Sequence, residues 1–299
     1  MKCFVCGNQT DFTALSPEFT DTNNHLCMEC GLVFIPREGD KFAKYYKEDG
    51  YYTESPNIAA RPFFISKSLL TELAKEKIKT IESLTPKNLI GLKVIDVGCG
   101  YGEILYVLKR DYKCEVLGIE PSKLSAQIGR EMFRIEIKDI LLDEYKTEEK
   151  FDLVMCNHTL EHLENPIEFL RQLKNLLKDG GQMYIEVPNI LCPSGGFDLK
   201  TFLYFEHLQT FSATTLARLV ETVGLKVKSY NDKRFLEFVL VKSTEEPAII
   251  PEITPSEVLR FLKKYKTDYT IFNRVGVYFR KAVYLARFIY HKILDLLNG

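Results

Sequence analysis

From residue 91 onward, short apolar runs alternate with stretches whose apolar positions recur at helical spacing. The runs predict strands and the stretches predict helices. Because such alternation produces a parallel sheet covered by helices, we expect an α/β fold with a doubly wound, mostly parallel sheet. The predicted strands are Lys93–Val97, Glu115–Ile119, Arg134–Ile137, Leu153–Cys156, Gln182–Val187 and Phe235–Val241, and the predicted helices are Glu103–Arg110, Ser122–Met132, Pro166–Lys178 and one beginning near Ser212.

The pattern divides the chain into four segments. Residues 1–40 carry paired cysteines, and residues 41–90 hold an irregular connector rich in Tyr, Lys and Glu, followed by a predicted helix from Phe63 to Leu84. Residues 91–243 form the alternating domain. After Pro247, Pro251 and Pro255 the pattern is helical again, so residues 244–299 are predicted to form a helical tail.

Composition narrows the class of protein. The 299 residues are 45% hydrophobic and 27% charged with a formal net charge of −1, which excludes a collagenous or broadly disordered chain. That charge also argues against a surface devoted to nucleic acid. The N-terminus lacks the apolar run of a signal peptide, and we therefore expect a cytoplasmic protein.

Four of the eight cysteines form two pairs, Cys3 with Cys6 and Cys27 with Cys30, each followed by glycine. Two residues between thiolates allow one tight turn to present both sulfurs to a single ion, and four thiolates complete a closed tetrahedral shell. The spacing predicts a structural Zn²⁺ site. The alternative is four unconnected thiols.

Polar and glycine residues follow the predicted strands, where ligands bind in such sheets. Asp96 precedes a loop with Gly98, Gly100 and Gly102, and Glu120 ends the second strand. Because Glu103 stands where a nicotinamide-binding fingerprint needs its last glycine, the loop suits a ligand with an ammonium group rather than a pyrophosphate. Glu120 is placed to accept hydrogen bonds from ribose hydroxyls.

A connection of about two dozen residues follows the fifth strand, longer than the usual 4 to 6, and long loops at strand ends are commonly functional. It contains Tyr204, Glu206 and His207. Neutral histidine is well matched to removing a proton from a hydroxyl at neutral pH. The alternative is a solvated pair at a helix start.

These motifs resemble those of class I S-adenosylmethionine-dependent methyltransferases, which have a Rossmann-like fold. The resemblance lies in the glycine loop, in Glu120, in Asp139-Ile140, in Leu160 to Pro166 and in Lys178 to Gly181. It implies that S-adenosylmethionine is the cofactor. Its ribose would contact Glu120, its adenine would contact Asp139 and Ile140, and its amine or sulfonium would lie near Asn157. The methionine part would be lined by Asp96, Gly98, Cys99, Gly100 and Gly102.

Tyr-x-Glu-His-Leu at Tyr204–Leu208, together with the paired cysteines, resembles bacterial sugar methyltransferases that include deoxysugar C-methyltransferases of the tetronitrose type. The resemblance implies that five residues contact the substrate or handle its proton: His207 as general base, Glu206, Tyr204, His162 and Tyr52, with Tyr51 as the alternative to Tyr52. Those enzymes carry a further Rossmann-like domain, whereas about fifty-five residues follow Ser243 here.

We therefore expect O-methylation of a sugar or glycan hydroxyl, on a nucleotide sugar or a surface polysaccharide. C-methylation of a keto-deoxysugar nucleotide remains an alternative. RNA modification is a third interpretation, disfavoured because Lys2 is the one basic residue in positions 1–36.

The tail combines basic and aromatic residues. From Leu259 onward it has nine Lys and Arg against Asp268 and Asp295. Such a helix can lie on the inner membrane surface, or it can pack on the parent domain or on a second subunit.

Overall fold

The computed structural model describes residues 1–36, 48, 66–85, 88–193, 198–242, 246–269 and 271–297. The connector tyrosines, including Tyr51 and Tyr52, lie outside the described residues, so their role remains a prediction. The strands are β1 (Phe12–Ala14), β2 (His25–Cys27), β3 (Val33–Phe34), β4 (Lys93–Val97), β5 (Glu115–Ile119), β6 (Ile137–Lys138), β7 (Phe151–Asn157), β8 (Leu177–Pro188), β9 (Gln209–Thr210), β10 (Lys226–Asn231) and β11 (Phe235–Val241).

The α-helices are α1 (Lys67–Leu84), α2 (Glu103–Tyr112), α3 (Lys123–Phe133), α4 (Pro166–Leu176), α5 (Leu199–Phe202), α6 (Ala213–Glu221), α7 (Pro255–Asp268) and α8 (Ile271–Leu297). Among the described helices, none is long and apolar enough to cross a bilayer. The chain forms two compact units. The first comprises Met1–Gly39, His158–Lys174 and Ile185–Arg280, and the second comprises Asp40–Asn157, Asn175–Tyr184 and Lys281–Gly299.

The second unit contains β7, β4, β5, β6 and the first part of β8, which are neighbours in the order β8, β7, β4, β5, β6. β4 pairs in parallel with both β5 and β7, and β5 pairs in parallel with β6. The chain therefore leaves β4 toward one side and later returns to its other side. This reversal of strand order creates the crevice at the carboxyl ends in which α/β proteins bind ligands. The predicted α/β fold with a mostly parallel sheet is confirmed.

The predicted element bounds agree closely with the structure at β4, β5 and β11. One strand was misplaced: Arg134–Ile137 was predicted, but pairing begins only at Ile137. Arg134 caps α3 in the left-handed conformation (φ 53°), so the chain is still turning there and cannot yet join the ladder.

The first unit contains an antiparallel sheet in the order β1, β2, β3, β9 and the antiparallel pair β10–β11 beside the end of β8. Its apolar core joins the cysteine-bearing segment, the loop after β8 and helix α7. The core residues are Leu15, Phe19, Leu26, Val33, Ile190, Leu199, Phe202, Leu203, Val258 and Leu262.

Candidate active site

The glycine loop after β4 needs its glycines for conformation and for space. Gly98, Gly100 and Gly102 have φ values of 81°, 57° and 73°, in the left-handed region that side chains disfavour. A Cβ on Gly102 would also lie 2.5 Å from Cδ1 of Ile135. The loop consequently connects the carboxyl end of β4 directly to the N-terminus of α2.

Glu120, at the end of β5, is fixed by this loop. Its carboxylate accepts hydrogen bonds from the Gly100 N–H and the Ser122 N–H, both at 2.9 Å, and the residue is 5% exposed. Carboxylate oxygens retain lone pairs beyond one hydrogen bond each. The group is therefore held in one orientation and can still accept from a ribose.

Asp96 lies one residue before the end of β4, Asn157 ends the adjacent strand β7, and Asn157 Nδ2 donates to Asp96 Oδ1 at 3.4 Å. Burial, with a smaller contribution from the Glu103 carboxylate, raises the pKa of Asp96 to about 7. A buried acid among other acids is stabilised by a nearby cation. These residues therefore fit the ammonium group of a methionine moiety.

Asp139 and Ile140 directly follow β6. The Glu120 N–H donates to the Lys138 carbonyl at 3.0 Å, and this hydrogen bond places the end of β6 next to the end of β5. Asp139 is exposed, and its carboxylate lies 3.7 Å from Arg130 Nη1. The residues predicted to contact adenine therefore lie at the strand end next to the residue predicted to contact ribose.

Cys99 in the loop has a packing role. A Cβ on Gly118 would lie 2.6 Å from its Sγ, so the thiol fills the space that this glycine leaves. Burial raises the pKa of Cys99 well above its usual value, which keeps the thiol neutral.

His207 lies in the loop between β8 and α6. Its Nδ1 is 3.1 Å from the Phe202 carbonyl, and the ring of Tyr204 lies 4.4 Å from its own. A carbonyl can only accept, so Nδ1 carries the proton and Nε2 is left with a lone pair. Desolvation, with the neighbouring His162 second, lowers the pKa of His207 to about 3.

His162 ends a 3₁₀ turn, Leu160–His162, that follows β7. Its Nδ1 donates to the main-chain carbonyl of Glu206 at 2.8 Å, and its ring centre lies 5.2 Å from that of His207. The structure thus brings together four residues named from the sequence: His207, Tyr204, His162 and Glu206. Glu206 is completely buried. Glu206 contributes its carbonyl to His162, and the role of its carboxylate remains a prediction.

Three further residues complete this cluster and were not predicted as site residues: His158, Glu161 and Glu186. His158 has a left-handed backbone (φ 48°), and its Nε2 and Nδ1 lie 2.8 Å from Glu186 Oε1 and 3.3 Å from Glu161 Oε1. Non-glycine residues in this conformation concentrate at functional sites. His158 directly follows the last residue of β7, a position that could have marked it from the sequence.

The charges in the cluster follow from this geometry. Desolvation lowers the pKa of His158, but the Glu161 and Glu186 carboxylates reverse this and raise it to about 10. Desolvation raises the pKa of Glu161, but the nearby His162 and His158 lower it by more, so the pKa of Glu161 lies below its usual value. His158 is therefore a cation between two buried carboxylates. Glu161 Oε1 also lies 3.8 Å from His162 Nε2.

A model of the methyltransferase domain family matches residues 69–230, more than half of the chain. The chain belongs to this family. It is an S-adenosylmethionine-dependent methyltransferase, in agreement with the glycine loop and the acidic strand ends described above.

Curated relatives of this methyltransferase include two ubiquinone biosynthesis O-methyltransferases. The protein from Stutzerimonas stutzeri is 28% identical over 162 residues, 46% of this chain and 69% of the relative. The protein from Glaesserella parasuis is 33% identical over 112 residues, 34% of this chain and 47% of the relative. The chain thus spans about half to two thirds of these relatives.

Solved methyltransferase structures are also similar to this chain. The magnesium protoporphyrin IX methyltransferase of Synechocystis PCC 6803 has 13% identity and a TM-score of 0.48, covering 70% of this chain and all of that one. An S-adenosylmethionine-dependent methyltransferase of Mesorhizobium loti has 15% identity and a TM-score of 0.45, covering 54% and 95%.

The four N-terminal cysteines of the methyltransferase converge. Cys3 Sγ lies 3.6 Å from Cys30 Sγ, Cys6 Sγ lies 3.5 Å from Cys27 Sγ, and all four sulfurs lie within 4.8 Å of one another. Zinc–sulfur bonds of about 2.3 Å in a tetrahedron require sulfurs about 3.8 Å apart. The arrangement fits Zn²⁺. Gly7 and Gly31 both have φ near 80°, as the knuckle turns require.

The cysteine-bearing sheet supports the loop that holds His207. β3 pairs with β9, and the Ile35 N–H donates to the Leu208 carbonyl at 2.8 Å. From β9, Gln209 Nε2 donates to the carbonyls of Leu160 and Leu163 at 2.6 and 2.8 Å. The segments carrying His162 and His207 are thereby tied to each other and to the sheet beside the four thiols.

Proposed function

We propose that this methyltransferase acts on a hydroxyl group of a sugar or glycan and that His207 accepts the hydroxyl proton. One observation carries the proposal: the Nδ1 of His207 is engaged by a main-chain carbonyl, so its Nε2 is the ring nitrogen left to accept a proton. The cofactor supplies an electrophilic methyl group carried on a positively charged sulfur.

The low pKa of His207 suits this role. A hydroxyl oxygen becomes a strong acid as its new bond to carbon forms, so even a weak base can take the proton at that stage. A histidine with a pKa of about 3 is already neutral at physiological pH and needs no prior deprotonation. The negative charge of Glu161 then stabilises the imidazolium, because its Coulomb effect on His207 raises the pKa.

O-methylation is supported by the curated relatives, which are O-methyltransferases by name. The sugar as acceptor is supported by the similarity of Tyr204, Glu206, His207 and the paired cysteines to sugar methyltransferases. Hydroxyl-rich acceptors also match a site built from histidines and carboxylates, which bond to hydroxyls as donors or acceptors.

We further propose that the four N-terminal thiolates hold a structural Zn²⁺. A closed shell of four cysteines leaves no coordination position for substrate. The ion would therefore stabilise the fold and take no part in the reaction. It would hold the sheet that carries β3, and through β3 the loop that presents His207.

An acceptor screen tests the proposal. Purified protein with S-adenosylmethionine is offered nucleotide sugars, free glycans, phenols and RNA, and methyl transfer is followed by mass spectrometry. We expect a mass gain on a sugar, with fragmentation placing the methyl group on oxygen. Methylation on sugar carbon would favour the keto-deoxysugar alternative, and methylation of RNA or of phenols alone would overturn the sugar assignment.

A further inference from the structure

The C-terminal helix α8 is docked along one side in the second unit. Its Arg287 pairs with Glu72 and Glu76 of α1, and His291 pairs with Glu72 and with Ser68. Asp295 accepts hydrogen bonds from Ser66 Oγ at 2.8 Å and from the Ser68 N–H at 3.1 Å, at the start of α1. The polar side of α8 thus has its partners.

The opposite side of α8 is apolar and exposed. At about 100° per residue, the exposed apolar side chains of α8 in the second unit, except Tyr284, occupy an arc of roughly 160° around the helix. They include Tyr290, which is 59% exposed. The remaining members of this face are Val283, Leu285, Ile289, Ile293, Leu296 and Leu297.

Positively charged residues outnumber acidic ones in α8. Its sequence has five Lys and Arg and a single acid, Asp295, which is occupied at the start of α1. By helical position Lys292 lies at one edge of the apolar arc, whereas Arg287, beyond the other edge, is paired with Glu72 and Glu76. An apolar helix face with a lysine at its edge is an arrangement that lies in the surface of an anionic bilayer.

We propose that the exposed face of α8 binds an anionic membrane surface, with the helix axis in the plane of the interface. A bilayer fits the observed face better than a second copy of the chain does. A two-helix seam uses about two positions in seven, whereas this arc is much wider. Tyr290 combines an apolar ring with a polar hydroxyl, which suits the headgroup boundary. The inference is independent of the methyl acceptor.

Vesicle co-sedimentation of the full chain tests the proposal. We expect binding to vesicles of phosphatidylcholine mixed with phosphatidylglycerol, weak binding to phosphatidylcholine alone, and a loss of binding as ionic strength rises. Removing one lysine charge should weaken binding about fivefold, so Lys292→Gln measures the electrostatic part. The double variant Ile289→Asn/Ile293→Asn should weaken it at least tenfold.

Ile249→Asn is the matched control, because Ile249 is 91% exposed but lies outside the helix. It should bind vesicles as the unaltered chain does. Thermal melting and cofactor binding establish that each variant is folded. Equal binding to neutral and anionic vesicles, or none to either, would overturn the proposal. So would a concentration-dependent dimer, seen by sedimentation, that the double isoleucine variant dissociates.

Discussion

The imidazole rings of His162 and His207 lie 5.2 Å apart, and each donates its Nδ1 proton to a main-chain carbonyl, that of Glu206 and that of Phe202 respectively. Both rings are therefore held in a fixed orientation, and neutral His207 is left with a lone pair on Nε2. Because the anchors are backbone atoms, the pair is oriented by the fold of the loop. His207, neutral because burial lowers the pKa of its imidazole to about 3, lies beside the buried Glu161 carboxylate and is prepared to receive a proton.

Replacing His207 should remove the proton acceptor. His207→Asn is expected to lower turnover by about 10² to 10⁴, since this is the usual contribution of positioned proton transfer, with cofactor affinity nearly unchanged. Steady-state kinetics and calorimetry measure the two effects. His25→Asn is the control, because His25 lies on β2 and contacts the Asn23 carbonyl and the Phe34 ring. If His162→Asn abolishes turnover while His207→Asn does not, His162 is the base.

His158 should make stability depend on pH. Its folded pKa is about 10 against a usual value of 6.5, so its ion pairs stabilise the fold fully below about pH 6.5. That contribution is lost as pH rises through about 10. With an allowance for solvent screening, we expect His158→Gln to cost roughly 1 to 2 kcal/mol near pH 6. Urea unfolding across this range should show the difference from the unaltered protein shrinking, and a constant difference would contradict the assignment.

Cofactor affinity should rise with pH through the titration of Asp96. Its pKa of about 7 means that the carboxyl is largely protonated below pH 7 and largely charged above it, and the charged form attracts an ammonium group. Between pH 6 and pH 7, where the ammonium group of S-adenosylmethionine keeps its proton, we expect roughly fivefold tighter binding by calorimetry. Asp96→Asn should bind weakly with no such slope. The same slope in the variant would assign it to another group.

Glu120 should contribute to cofactor binding through its oriented carboxylate. Glu120→Gln turns one oxygen into an amide that faces a main-chain N–H of Gly100 or Ser122, and Glu120→Ala removes the acceptor altogether. Hydrogen bonds to charged groups contribute about 1.5 to 3 kcal/mol, so we expect roughly ten- to hundredfold weaker binding. Glu115→Gln, at the exposed start of β5, should leave affinity unchanged. Binding of a nicotinamide cofactor instead would contradict the site.

Removal of one knuckle cysteine should release metal and disturb the acceptor loop. We expect about one Zn²⁺ per chain by elemental analysis of protein purified without chelator, and loss of the metal with a lower melting temperature in Cys27→Ser. Turnover should fall as well, because β3 pairs with β9 beside His207. Cys192→Ser, outside the cluster, should keep its metal. Absence of Zn²⁺ from the unaltered protein would contradict the proposal.

Local patterns in the sequence predicted that the proposed cofactor contacts lie at one edge of the sheet. Asp96, the glycine loop and Glu120 each follow an apolar run, and parallel strands bring their carboxyl ends to one edge of a sheet. Spacing alone likewise predicted that the four N-terminal cysteines converge, since two residues between sulfurs impose a knuckle turn. The strand at Arg134 was misplaced because apolar pattern does not reveal a left-handed helix cap.

The sequence by itself determined an α/β methyltransferase fold, a glycine loop, a four-cysteine knuckle and an amphipathic C-terminal helix. Tertiary structure decided which side chains meet. His158 and Glu186 are 28 residues apart and pair because β8 returns to the end of the strand that His158 follows. Hydrogen bonds to the carbonyls of Phe202 and Glu206 fix the histidine tautomers, and docking on α1 fixes which face of α8 remains open. Such contacts depend on chain segments distant in sequence, which periodicity and spacing do not encode.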